Sequence, residues 1–222
     1  MDLAGFGAQV LDWALRFLVV IPAIVFHEVA HGYSAYLMGD PTAKNAGRLS
    51  LNPLKHIDPF GTVILPLALI AFNSRVVFGY AKPVPVNPAY FRDRKKGMVI
   101  TGLAGPAANL AMAFVAGLLV RLIPMPAAWG GLLDIASVYG VLVYFCYINL
   151  VLLFFNLIPI PGLDGSRVVE WFLKGKALQT FRGLERYTFL ILFGMLFIFP
   201  AALGTYLSYT AIPLFLLFTG LV

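Results

Sequence analysis

Long apolar runs separated by short polar stretches organise the chain. The first run predicts a helix over residues 10–38 with an uncharged centre at 17–26, and Pro22 removes one backbone donor and predicts a bend. Residues 98–120 and 135–155 are each long enough, as helices, to cross a hydrocarbon layer of about 30 Å. The short loop between them is rich in Pro, Ala and Gly, which predicts an antiparallel hairpin.

Two apolar stretches do not have the length of one ordinary span. Residues 62–72 would cover only about 16 Å as a helix, so this segment is either re-entrant or a weak span. Residues 187–222 carry no charge and would extend about 54 Å as one helix, which is too long for one crossing. We therefore predict a C-terminal helical hairpin over 185–222, with its turn at 200–204.

Composition places the chain in a membrane. Of its 222 residues, 60% are hydrophobic and 12% are charged, and the mean hydropathy is +0.87. The length predicts a single integral membrane domain over 1–222 with its core at about 10–174. The N-terminus lacks the basic start and cleavage site of a signal peptide, so we expect the first run to be retained. The predicted fold is all-α and polytopic, with about five to six transmembrane or re-entrant helices.

The charge pattern predicts an orientation for these helices. Basic residues concentrate in three segments, 44–55, 75–96 and 167–186. Two other loops carry none, 124–131 and 200–205. If 62–72 does not cross, the basic segments share one side and the loops 124–131 and 200–205 lie on the opposite side. The positive-inside rule assigns the basic side to the cytoplasm. This bias explains the net charge of +6 without nucleic acid, which we do not expect as a partner. The single Cys146 excludes a disulfide framework and a cysteine metal cluster.

The most specific chemical pattern lies inside the first apolar run. In His27-Glu28-Val29-Ala30-His31 the two histidines project from one face of a helix, where they can bind one metal ion beside Glu28. Unpaired, these three ionisable groups would cost roughly 2 to 3 kcal/mol each in the membrane, whereas site-bound zinc returns on the order of 10 kcal/mol. We therefore predict one Zn²⁺ per chain and amide hydrolysis, with Glu28 as the general base.

A catalytic zinc usually takes a third protein ligand. The candidates are His56, Asp58, Asp134 and Asp164. Asp164 has the most unusual setting, because an apolar helix ends, the chain runs extended through two prolines, and it turns at Gly165 before a short amphipathic helix at 166–173. This break points Asp164 back towards the helices, but aspartate also favours the helix N-cap position. Spacing alone leaves ligand and cap as equal alternatives.

Residues 27–31 together with 156–165 resemble the site-2 protease family of intramembrane zinc metalloproteases, in its compact prokaryotic form. Three further segments are similar to that family, namely 47–61, 81–88 and Gly105-Pro106-Ala-Ala-Asn109. The similarity covers roughly residues 20 to 170 in order, which makes it specific. It implies that zinc is bound by His27, His31 and Asp164, with Glu28 as the base and Asn156 near the site. Gly162 stands where many relatives have proline.

Three other polar residues have more than one interpretation. Asn109 and Asn156 are candidates to hold an unwound substrate or the developing oxyanion, or they only join helices. Asn149 lies seven residues before Asn156, and helix joining is favoured for it. His56 either donates to the tetrahedral intermediate or to Asp58, or is an ordinary loop histidine.

A small extended segment is predicted at residues 76–86. Residues 76–80 are rich in strand-forming types, and Pro83 and Pro85 keep the following chain extended while withholding donors. A membrane-associated edge strand or hairpin here would receive an unwound substrate by β-addition, with Val77 and Phe78 in contact with it. The alternative is a connecting loop packed on the helices.

Together these patterns predict an intramembrane zinc metalloendopeptidase acting on transmembrane protein substrates. We expect it among the lipids of a prokaryotic inner membrane, with an active site open to the cytoplasm. One alternative is a membrane metalloprotease that cuts soluble loops or tails, for which the same zinc chemistry suffices. Another is a metal-binding transporter, which the sequence supports with neither a repeat nor a second cluster. The depth of His27 within an apolar helix favours the first reading.

Overall fold

The computed structural model describes residues 3–72, 74, 77–132 and 134–221, with side chains from Val10 onwards. The α-helices are α1 Leu3–Leu37, α2 Thr42–Asn45, α3 Leu65–Ala71, α4 Arg94–Leu122, α5 Val138–Asn156, α6 Gly165–Phe172, α7 Gly175–Gly183, α8 Thr188–Phe193 and α9 Pro200–Thr219. Short 3₁₀ or π turns cover Pro53–Lys55, Pro59–Ile64, Pro88–Tyr90, Leu184–Tyr187 and Gly194–Ile198.

Four helices in the described part of the chain are long and apolar enough to cross a membrane. They are Val10–Leu37 of α1, Arg94–Leu122, Val138–Asn156 and Pro200–Thr219. Two shorter apolar segments, 59–71 and 188–198, complete the set. The predicted all-α polytopic membrane fold is confirmed, and the predicted spans at 98–120 and 135–155 agree with α4 and α5 to within a few residues.

The core lies where α4, α5 and α9 meet. Small residues such as Ala113 and Ala116 of α4 face Val143 and Leu150 of α5, and all four side chains are buried. Small side chains let transmembrane helices approach closely, which is the main source of their packing energy in lipid. Helix α1 packs along the other side of α4, so α4 is shared between the core and the face that carries residues 27–31.

The predicted turn at 200–204 is wrong, because these residues form the first turn of α9 and the helix breaks at Phe199. Pro200 suits the start of a helix, where its missing N–H group leaves no bond unmade. The hydroxyl of Tyr206 donates to the carbonyl of Phe154, and Tyr147 packs against Phe215, so α9 runs antiparallel to α5. Helix α9 therefore begins at the end of α5 that leads to Asp164, and the predicted placement of 200–205 on the opposite side is wrong as well.

Residues 77–87 form neither helix nor strand, and a short 3₁₀ turn begins at Pro88. The N–H groups of Tyr80 and Lys82 donate to the carbonyls of Gly61 and His56 at 3.1 and 2.9 Å. Alternate residues thus face the same side, which is the period of extended backbone. Within the described residues the predicted edge strand or hairpin is absent, because the partner is an irregular loop instead of another strand. Residue 76 of the predicted segment lies outside the described residues.

Candidate metal centre

Helix α1 and the loop after α5 bring three predicted ligands together. The Nε2 atoms of His27 and His31 lie 3.0 Å apart, since four residues make about one helical turn. The Oδ2 atom of Asp164 lies 3.2 Å from Nε2 of His27 and 3.3 Å from Nε2 of His31. Among the described residues this trio forms the one group of three or more side chains arranged to hold a metal ion.

The spacing of the three atoms fits zinc. Tetrahedral zinc with ligands at roughly 2.0 to 2.1 Å separates neighbouring ligand atoms by about 3.3 Å, which matches the observed distances. Oδ2 of Asp164 is buried and makes no hydrogen bond within the described part of the chain. A buried carboxylate oxygen that faces only two imidazole nitrogens calls for a cation at their meeting point.

The outer hydrogen bonds of both histidines leave Nε2 free for a metal. Nδ1 of His31 lies 2.6 Å from the carbonyl oxygen of Thr101, which only accepts, so the proton is on Nδ1. Nδ1 of His27 lies 2.5 Å from Oδ1 of Asn109. The amide nitrogen of Asn109 donates to Oδ1 of Asn149 at 2.8 Å, which fixes Oδ1 of Asn109 as the acceptor. Such outer partners set the tautomer and orientation of metal-binding histidines.

Gly105 of α4 allows this close approach. A Cβ atom at that position would collide with the imidazoles of both His27 and His31, at 2.6 Å from one His27 ring carbon. Thr101, Gly105 and Asn109 follow one another at intervals of four, so one stripe of α4 forms the wall behind the two histidines. The roles of Thr101 and Gly105 were missed by sequence reasoning. The four-residue spacing within the Gly-Pro-x-x-Asn segment was a usable signal for Gly105.

The loop that carries Asp164 is shaped by two glycines. Gly162 has φ +96°, a value that proline, with φ fixed near −65°, cannot adopt. A Cβ atom on Gly165 would collide with the backbone of Leu157, so the loop folds tightly onto the end of α5. Asp164 occupies the N-cap position of α6, but its side chain makes no capping hydrogen bond. The capping alternative therefore has no support from the contacts.

Glu28 is held by residues 82–87. Its Oε2 atom accepts a hydrogen bond from the N–H of Val84 at 2.8 Å. The fully buried Asp40 accepts from the N–H of Asn87 at 2.6 Å, and Arg48 donates to the carbonyl of Lys82 at 2.6 Å. These anchors fix the segment that positions the Glu28 carboxylate.

His56, Asp58 and Asp134 make their hydrogen bonds with groups outside the trio. Nε2 of the buried His56 lies 2.8 Å from the carbonyl of Ser50. The competing carboxylates are engaged elsewhere: Asp58 accepts from two N–H groups at the start of 59–64, and Asp134 accepts from those of Gly130 and Ala136.

The asparagines and the extended segment have the following neighbours. Asn109 is fully buried with both amide atoms engaged, which differs from the predicted substrate contact. Asn149 donates to the carbonyl of Phe145 and links α4 to α5. Asn156 donates to the carbonyl of Leu152 at 2.9 Å. Val77 and Phe78 line a cavity beside α1.

Comparison with known proteins supports the same reading. The sequence profile of peptidase family M50 matches residues 121–199. The chain is 38% identical over 192 residues to YwhC of Bacillus subtilis, which covers 85% of this chain and 81% of that protein. It is 32% identical to Rip2 of Mycolicibacterium smegmatis and 30% identical to Rip2 of Mycobacterium tuberculosis, with 71% and 75% of those proteins covered. All three are described as candidate zinc metalloproteases. No solved structure matches the chain.

The fold and the His–His–Asp trio define an integral membrane metalloprotease. The chain belongs to peptidase family M50, the site-2 protease family, and is a zinc metalloprotease.

Proposed function

We propose that this protease hydrolyses peptide bonds of transmembrane protein substrates inside the bilayer. The observation that carries the proposal is the position of His27 and His31 on a spanning helix. His31 and His27 precede the Leu37 end of α1 by six and ten residues, which is about 9 and 15 Å at helical rise. A substrate bond cut there lies at the depth of the hydrocarbon layer.

The chain's own residues divide the chemistry between them. His27, His31 and Asp164 would hold zinc, which supplies a polarising charge for the carbonyl and lowers the pKa of a bound water. Glu28 accepts the proton of the attacking water and returns it to the leaving amine, so it ends the cycle as a carboxylate. Because Oε2 of Glu28 accepts from Val84, Oε1 is the atom available for the proton. Asn109 acts through His27, by fixing its tautomer.

The extended segment 77–86 would present the substrate. Tyr80 and Lys82 turn their N–H groups towards the loop at 56–61, so the alternate residues turn theirs the other way. Beyond them Pro83 and Pro85 have no N–H group, which restricts pairing to a short stretch near Val77 and Phe78. An unwound substrate added to this edge would be led along the segment to Val84 and Glu28, with Asn156 helping to hold it.

The site opens to the cytoplasm in this proposal. The basic segments 44–55 and 75–96 lie between the C-terminal end of α1 and the first turn of α4, and the segment 167–186 covers most of α6 and α7. The trio lies nearer the C-terminal end of α1 than its N-terminal end. Single cysteines placed near Lys95 or Lys174 should react with a membrane-impermeant reagent only after the cytoplasmic face is exposed. Labelling from the outer face of intact cells would overturn the orientation.

The experiment that tests the substrate class is mapping of the cut. The purified chain in proteoliposomes is given a reporter with one transmembrane segment flanked by soluble tails, and the products are identified by mass spectrometry. We expect a zinc-dependent cut inside the apolar segment. A cut confined to the soluble tails would favour a protease of loops or tails and contradict the proposal.

A further inference from the structure

Asp40 is a fully buried carboxylate just beyond the C-terminal end of α1. Its Oδ1 atom accepts hydrogen bonds from the N–H group of Thr42 at 2.9 Å and from the hydroxyl of the same residue. Its Oδ2 atom accepts from the N–H group of Asn87 at 2.6 Å, 47 residues away in the chain. Burial of a carboxylate is costly unless hydrogen bonds compensate for the lost water. One of its two oxygens is thus committed to a distant backbone group, beyond what the local turn requires.

Asn87 ends a short segment that is fixed at both ends. At the other end, the carbonyl of Lys82 accepts from Arg48 at 2.6 Å. The N–H group of Lys82 donates to the carbonyl of His56 at 2.9 Å. Only four residues lie between these two ends, so a displacement of either end shifts the residues in between.

Val84 lies in the middle of this segment, between Pro83 and Pro85, which have no N–H group. Its own N–H group donates to Oε2 of Glu28 at 2.8 Å. The side chain of Val84 is buried against α1, where a Cβ atom on Gly32 would lie 2.8 Å from it. A proline also restricts the residue before it to extended backbone. The direction of this N–H group therefore depends on the position of the whole segment.

The hydrogen bond from Val84 controls which oxygen of Glu28 carries the proton. A backbone N–H group can only donate, so Oε2 remains an acceptor whether Glu28 is a carboxylate or has taken up a proton. The proton is therefore held on Oε1 throughout the cycle. Without this bond the carboxyl group can rotate, and a smaller fraction of the protein holds Glu28 in the reactive arrangement.

We propose that Asp40 is a positioning residue for peptide hydrolysis, and that it acts on Glu28 through the segment 82–87. The inference rests on the role of Glu28 in the proposed function. The N–H group of Asp40 donates to the carbonyl of Ala35 at 2.9 Å, which fixes Asp40 to the end of the helix that carries Glu28. The segment is thus joined to α1 at two points, and the distant one sets the geometry at Glu28.

Asp40→Asn removes the long-range hydrogen bond selectively. Asparagine forms the same local turn as aspartate. Its single carbonyl oxygen has two donors at Thr42 and one at Asn87, so its NH₂ group is left facing the N–H group of Asn87.

The test measures kcat and KM in proteoliposomes with a reporter whose cut site is mapped, and zinc affinity by competition with a chelator. In Asp40→Asn we expect kcat to fall about tenfold, as is typical for loss of one hydrogen bond to a charged group. KM should change by less than about twofold, because the bond positions the base and does not bind substrate. Zinc affinity should be unchanged, since His27, His31 and Asp164 are untouched.

Thr42→Val is the matched control. It removes the other side-chain hydrogen bond of Asp40, leaves the contact with Asn87 in place and should keep the native kcat. Asp40→Ser is a second variant, whose hydroxyl forms the local turn but is too short to reach Asn87. It should lower kcat as Asp40→Asn does. Zinc content and monodispersity of each variant establish that it has folded.

A double-mutant cycle distinguishes positioning of Glu28 from a general loss of structure. Val84→Pro removes the N–H group that binds Glu28, keeps an apolar side chain of similar size and should lower kcat at least as much as Asp40→Asn. If Asp40 acts through this N–H group, Asp40→Asn should lower kcat by less than about twofold in the Val84→Pro background. Independent effects would instead lower it about tenfold again.

The outcomes are distinguishable. An unchanged kcat in Asp40→Asn, or independent effects in the cycle, would overturn the assignment. A loss confined to KM would make Asp40 a substrate-binding residue, and a loss of zinc affinity would make it part of the metal site; either result also overturns it. If neither Asp40 variant folds while Thr42→Val does, Asp40 serves folding alone. Each comparison holds wherever the native chain cuts the reporter, and only the absence of Glu28-dependent cleavage contradicts the proposed function itself.

Discussion

The two faces of α1 differ in how their polar groups are satisfied. On the face towards α4, Nδ1 of His27 and of His31 each has a partner, and Asn109 is engaged at both amide atoms. On the face towards the cavity, Arg16 and His56 each keep a buried atom without a partner in the described part of the chain. The first arrangement is preorganised to hold an ion, whereas the second leaves polar atoms unsatisfied inside the protein.

Removal of a metal ligand should cause the largest loss of zinc affinity. Asp164→Ala should lower zinc affinity by more than about a hundredfold, which exceeds the usual effect of an outer partner, because the ligand set falls from three to two. Zinc is measured by competition with a chelator. Asp58→Ala is the matched control, since its carboxylate caps residues 59–64 and should not affect zinc. Unchanged zinc affinity in Asp164→Ala would remove this residue from the site.

A smaller effect is expected from crowding the same face. Gly105→Ala places a Cβ atom against both imidazoles and should lower zinc affinity by tens of fold, because a packed helix pair must separate to make room. Gly204→Ala, which meets nothing within 4 Å in α9, is the control and should bind zinc as the native chain does. Equal zinc affinity in the two variants would show that α4 does not form the wall of the site.

Substitutions of two asparagines should distinguish an effect on zinc binding from an effect on substrate binding. Asn109→Ala should weaken zinc binding by about tenfold, because His27 loses the acceptor that fixes its tautomer. Asn156→Ala should leave zinc affinity unchanged and lower the rate of cleavage, if it helps to hold the substrate. The same loss of zinc in both variants would contradict this division.

The proposed role of the extended segment in binding substrate is tested by a proline substitution within residues 77–80. Val77→Pro should impair cleavage of a helical transmembrane substrate several-fold more than cleavage of a short, already extended peptide, because this position turns its N–H group away from the loop at 56–61 and only substrate pairing is damaged. Ala127→Pro, in the loop between α4 and α5, serves as the control. An equal loss on both substrates, or no loss on either, would remove the reason to assign pairing to this segment.

Much of the metal-binding face was predictable from the sequence, because it depends on periodicity. His27 and His31 share a helix face by their spacing, and the two prolines before Asp164 predicted the return of the chain. The partner of His31 was not predictable, since a backbone carbonyl such as that of Thr101 leaves no trace in residue type. Asn109 is separated from His27 by 82 residues, so its contact required the fold.

The extended segment at 77–86 and the C-terminal region were harder to predict. Hydropathy identifies an apolar stretch such as 187–222 but does not decide how its helices are placed against the others. Long-range contacts decide this placement, such as the hydrogen bond from Tyr206 to the carbonyl of Phe154. The strand propensity of residues 77–80 predicted extended backbone, but the hydrogen-bonding partner is an irregular loop, so no ladder forms.

The central claim is that Glu28 performs the proton transfers at a zinc ion held by α1 and Asp164. Glu28→Gln keeps the shape of the side chain and removes its basicity, so cleavage of the transmembrane reporter should fall by about a hundredfold or more while zinc content stays at one per chain. Glu185→Gln, which changes an exposed carboxylate outside the trio, controls for the substitution. Undiminished cleavage by purified Glu28→Gln protein with zinc bound would contradict the account.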